Sequence, residues 1–91
     1  MDKVAKLDLM EKIVRELEDL RNSQEAVLKK ISQVEVNNME LNHKELEDKI
    51  TTFYTETADQ LDSLTALHES FAEETERFQR DNNIVREEAS L

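Results

Sequence analysis

The sequence predicts an all-α fold, an antiparallel helical hairpin assembled into a four-helix bundle or coiled-coil complex. Apolar residues recur at spacings of three and four through most of the 91 residues, Gly and Pro are absent, and the repeat changes register once in an Asn-rich segment near the middle. The spacing gathers apolar groups on one helical stripe. The missing Gly and Pro remove the usual means of making left-handed turns, sheet corners and forced helix stops. The register change supplies a place for the chain to reverse. Residues 1–91 are accordingly read as a single helical domain.

In the first half the series runs Met10, Ile13, Leu17, Leu20, Gln24, Val27, Ile31, Val34, Asn38 and Leu41, with Val14 and Leu28 widening it. Gln24 and Asn38 interrupt the stripe, and buried polar residues of this kind can set register at a cost in stability. Asp8 followed by Glu11 matches a capping box, so helix 1 is expected over about 8–37, starting near residue 9.

From Leu41 to Leu46 the spacing is five. Asn42 with Glu45, or Asn37 with Glu40, can cap a new helix, and Asn enters left-handed backbone more readily than most residues. These features predict a turn at about 37–43. The competing reading, one unbroken helix, would extend roughly 120 Å and would need a long partner to cover its seam.

Helix 2 is expected over about 43–86, with Leu46, Ile50, Phe53, Thr57, Leu61, Leu64, His68, Phe71, Thr75, Phe78, Asn82 and Val85 along its apolar side. The Phe53–Thr57–Leu61 spacing is a stutter, which changes local winding without ending a helix. Leu64, Phe71, Phe78 and Val85 recur every seven residues. Phe53 is expected in the core with Tyr54 at its edge; the alternative puts Tyr54 and Leu61 on an exposed binding stripe. Residues 87–91 read as a flexible tail.

Formal charge is −10, from 12 Lys/Arg and 22 Asp/Glu. It is concentrated in residues 46–91, which hold 4 basic and 12 acidic side chains, a net −8. That sign disfavours direct binding to nucleic acid or to an anionic membrane surface. No apolar run approaches a membrane span, and Asp and Lys interrupt the N-terminal apolar stretches, so no membrane insertion and a cytoplasmic location are expected. That reasoning does not reach export routes that use no cleaved signal.

Chemistry-bearing residues form no recognisable constellation. With no Cys, neither a disulfide scaffold nor thiol catalysis is available. His43 and His68 lack metal-ligand spacing, and Ser23, Ser63 and Ser70 lack the Gly-rich surroundings of a nucleophile elbow. No catalytic, cofactor or metal residue is assigned. The candidate interface or core residues are Leu17, Leu20, Val27, Ile31, Phe53, Tyr54, Leu61, Leu64, Phe71, Phe78 and Val85, with Gln24 and Asn38 as register-setting candidates.

Two helices cover one stripe of each other and leave any extra apolar width wet, so self-association or a helical protein partner is expected. The functional expectation is a non-catalytic interaction or adaptor protein. Alternatives are a secretion chaperone or targeting factor for an effector protein, and an acidic regulator of a basic protein surface.

Overall fold

The computed structural model describes residues 1–86; the expected tail at 87–91 lies outside them. The protein is an antiparallel pair of helices, α1 (Lys3–Leu41) and α2 (Lys44–Asp81), and the described residues contain no strand. Its long dimension is 60 Å. An unbroken helix would be about twice that length. The chain is a hairpin.

α1 begins well before residue 9. Asp2 is its N-cap, with Oδ1 accepting the Ala5 N–H at 2.7 Å. This satisfies one of the donors that a helix start leaves unpaired. Asp8 and Glu11 do not form the expected cap. Both carboxylates instead meet the Arg86 guanidinium, at 2.6 and 2.9 Å, tying the segment after α2 to the first turns of α1. Arg86→Ala is expected to lower stability by about 1 kcal/mol or less, with the difference shrinking in high salt; denaturant unfolding at two ionic strengths checks this.

The reversal takes only Asn42 and His43, a tighter turn than expected. Asn42 adopts left-handed backbone at φ 58°, ψ 43°, and its N–H reaches the Asn38 carbonyl at 2.6 Å. His43, in place of either Asn, caps α2: its Nδ1 accepts the Leu46 N–H at 3.2 Å. Asn38 clamps the turn from within α1. Its Nδ2 donates to the His43 carbonyl and its Oδ1 accepts the His43 N–H, both at 3.1 Å. Asn38 therefore staples the turn, and its polar groups are satisfied there despite burial.

α2 stops at Asp81, short of the expected 86. Asn82 Nδ2 donates to the Phe78 carbonyl at 2.9 Å, Asn83 turns left-handed at φ 53°, and the Ile84 N–H returns to the Gln79 carbonyl at 3.0 Å. A left-handed residue after the last turn redirects the chain and satisfies carbonyls that the helix leaves open. The sevenfold series consequently ends at Phe78. Val85 lies beyond the helix and is 89% exposed.

The helices meet along regular heptads. With Leu7 at position a and Met10 at d, the α1 seam comprises Leu7, Val14, Arg21, Leu28 and Glu35 at a, and Met10, Leu17, Gln24, Ile31 and Asn38 at d. All are buried or half-buried. On α2 the corresponding line is Leu46, Ile50, Tyr54, Thr57, Leu61, Leu64, His68, Phe71, Thr75 and Phe78. The stutter thus sits at Leu46–Ile50–Tyr54, one heptad earlier than expected, and it exchanges the two aromatic neighbours. Tyr54 enters the seam, whereas Phe53 is 51% exposed.

The core is thin. Among the described residues, Leu7 and Ile31 are the buried apolar ones, accompanied by buried Asn38, Thr57 and Thr75. Thr75 meets its hydroxyl requirement by donating to the Phe71 carbonyl at 2.8 Å. Two helices cannot enclose much more, because each has only one covered face.

Candidate interaction face

In an antiparallel pair, position g of one helix lies beside g of the other, and e beside e. Two cross-helix contacts show the registration: Gln24 reaches Gln60, and Lys6 Nζ lies 5.3 Å from the centre of the Phe78 ring. The Lys6 ammonium over the ring face is a cation–π arrangement. Residues at the same level along the hairpin therefore have numbers summing to about 84.

The two edges that result differ in character. The e edge holds Val4, Glu11, Glu18, Glu25, Ser32 and Met39 from α1, and Ala58, Thr65, Ala72 and Gln79 from α2. The g edge holds Lys6, Ile13, Leu20, Val27, Val34 and Leu41 from α1, and Phe53, Gln60, Leu67, Glu74 and Asp81 from α2. From Ile13 onward, every α1 residue on that second edge is apolar. The hairpin leaves the middle of the edge open: Leu20 and Leu67 are each 53% exposed and Val27 is 43% exposed, while Ile13 and Val34 are half-buried. Beside them a shallow depression is lined by Asp59, Gln60, Ser63, Leu64 and Leu67.

Charge also avoids the middle of this edge. Between Glu16 and Lys30 on α1, the outward g and c positions are Leu20, Ser23 and Val27. Between Glu56 and Glu74 on α2 they are Gln60, Ser63, Leu67 and Ser70. In a chain with 22 acidic residues, this is a band of apolar groups rimmed by small hydroxyls and one amide, with Asp59 at the margin of the depression as its nearest carboxylate on α2. Exposed apolar groups gathered on one edge characterise binding faces more than scattered single residues do.

Of the residues singled out in the sequence, Leu17, Ile31, Tyr54, Leu61, Leu64, Phe71 and Phe78 lie in the helix–helix seam. Leu20, Val27 and Phe53 lie on the open edge, and Val85 is apart from both. Gln24 bridges the helices, donating through Nε2 to Gln60 Oε1 at 2.8 Å and to the Thr57 carbonyl at 3.4 Å. The sequence reading missed Leu7, fully buried at 0% exposure, and the place of Leu67 on the open edge. Leu67 is fourteen residues beyond Phe53, a signal visible once Tyr54 rather than Phe53 is assigned to the seam.

His68 lies in the seam with its Nδ1 buried and without a hydrogen-bond partner. Among the described residues, no group of three or more His, Cys, Asp or Glu side chains could hold a metal ion. No described helix is long and apolar enough to cross a membrane. Most ion pairs are local to α2: Lys44 with Glu47 and Asp48, Lys49 with Glu45, and Arg77 with Glu74. Such exposed pairs add little to stability. No protein-family model, curated protein or solved structure matches the chain.

Proposed function

We propose that this chain is a non-catalytic helical protein–protein interaction module, an adaptor that works by docking its g edge against a helical partner. The supporting observation is the grouping of half-exposed Leu20, Val27, Phe53 and Leu67 on one edge, with no charged residue at the g and c positions between them. Their sevenfold spacing on each helix suits another helix laid along the edge, whose side chains can interdigitate with such rows. Burying this surface favours association by roughly 25 cal/mol for each Å² of apolar area removed from water.

The double substitution Leu20→Glu/Leu67→Glu tests the reading. It places charge at both sides of the edge while leaving the seam intact. Helicity is expected to persist, and association with the partner to weaken by at least about a hundredfold, because desolvating two unpaired carboxylates opposes docking. A matched double on the other edge, Ala58→Glu/Thr65→Glu, is expected to bind nearly as the parent does. Reversal of those two outcomes would overturn the assignment. Salt separates this reading from that of an acidic regulator: apolar docking persists as salt rises, whereas occupation of a basic surface weakens steeply.

A further inference from the structure

We infer that the occupant of the g edge is a second copy of this chain, docked about a twofold axis that crosses the middle of the hairpin. The inference rests on the interaction reading above and specifies its partner. Its basis is an arrangement shared by both helices. On α1, the midpoint of Leu20 and Val27 falls at Ser23–Gln24. On α2, the midpoint of Phe53 and Leu67 is Gln60. The Gln24–Gln60 hydrogen bond puts these two midpoints at the same level along the hairpin.

A twofold axis lying in the interface at that level pairs unlike members of each apolar set. Leu20 meets Val27 of the second copy, Ile13 meets its Val34, Phe53 meets its Leu67, and the two Gln60 amides face each other on the axis. An isologous contact requires such self-complementarity. The rim charges of α1 obey it too, while Asp59 of α2, beside Gln60, approaches its own copy near the axis. Glu16 and Lys30, both exposed, lie seven residues to either side of Ser23. Rotation brings Glu16 of each copy toward Lys30 of the other, giving two attractive pairs and no like-charge pair between those four side chains.

The size is sufficient. From Ile13 to Val34 the edge runs about 30 Å, and it is about two helices wide, so each copy offers on the order of 600 Å². Two copies then bury about 1,200 Å², at the lower end of stable, specific interfaces. The axis lies near mid-hairpin, so the copies overlap along nearly their whole length as an antiparallel four-helix bundle.

Because the parent has no Cys, one introduced thiol can report the axis. Gln60→Cys is expected to convert most of the protein to a disulfide-linked dimer under mild oxidation. Glu25→Cys, at the same level on the opposite edge, is expected to remain largely unlinked. Separately, Glu16→Lys should weaken dimerisation by about fivefold or more, and Glu16→Lys/Lys30→Glu should restore it to within about twofold, since exchanging both signs recreates the pairs. Linking through Glu25→Cys but not Gln60→Cys in a dimeric protein would overturn both the second-copy arrangement and the g-edge assignment. A chain that stays monomeric at about 100 μM, with neither thiol linking, would overturn the second copy alone; the Glu substitutions at Leu20 and Leu67 then decide the edge against a heterologous partner. A dimer whose affinity is not restored by the charge exchange would overturn this axis.

Discussion

Leu7→Ala is expected to lower the unfolding free energy by about 3 kcal/mol, a loss set by transfer of the deleted methyl groups to water plus the cavity they leave. Leu7 is 0% exposed and, among the described residues, is one of two buried apolar side chains. Small domains have total stabilities of about 5–15 kcal/mol, and a two-helix core belongs toward the lower end, so this one truncation removes a large share. Leu9→Ala is the matched control. Its side chain is 43% exposed, and the expected cost is below about 1 kcal/mol. Urea unfolding of both variants at fixed protein concentration, read from the helical signal, separates them. Equal midpoints would mean that the first turns of α1 contribute nothing to the core.

Asn38→Ala is expected to cost about 2–3 kcal/mol through a different mechanism. It deletes the side chain that both donates to and accepts from the His43 backbone. Each such bond contributes roughly 1 kcal/mol net, and leaving the freed backbone groups poorly paired near a buried site adds to the loss. The effect should be concentrated at the turn. Hydrogen exchange is expected to accelerate most at His43 and Leu46, whose N–H groups depend on the clamp and on the cap it positions. A loss spread evenly along both helices, with no excess at these amides, would show that Asn38 does not staple the turn.

The hairpin was legible because its evidence is local. A five-residue step from Leu41 to Leu46 breaks the repeat, and Asn42 tolerates the left-handed conformation that a reversal without Gly requires. The helix ends were harder to place. Asp8–Glu11 has the stronger capping pattern, yet Asp2 caps α1 and thereby brings Leu7 into the seam. Arg86, distant in sequence, is what occupies the Asp8 and Glu11 carboxylates. A local pattern cannot register such a competitor.

Which face is covered was the least legible feature. Periodicity favours the d and g rows of α1, because Ile13, Leu20, Val27, Val34 and Leu41 make g wholly apolar over that stretch, whereas a includes Arg21 and Glu35. The hairpin nonetheless packs a and d. Apolar spacing locates a stripe but does not say which part of its width a partner helix will cover. The same ambiguity exchanged Phe53 and Tyr54, adjacent residues whose assignments depend on where the stutter falls. The resulting mismatch between the apolar stripe and the covered seam is the physical origin of the open edge.

Solution scattering combined with absolute mass tests most directly whether that edge is covered by a second copy. The expected particle contains two chains, is predominantly helical, and is about as long as the 60 Å hairpin, because the proposed axis lays the two copies side by side along nearly their whole length. Leu20→Glu/Leu67→Glu should reduce the mass to one chain without loss of helicity. A parent protein that remains a single chain at high concentration, or a two-chain particle over about 100 Å long whose mass is unchanged by those substitutions, would contradict the account.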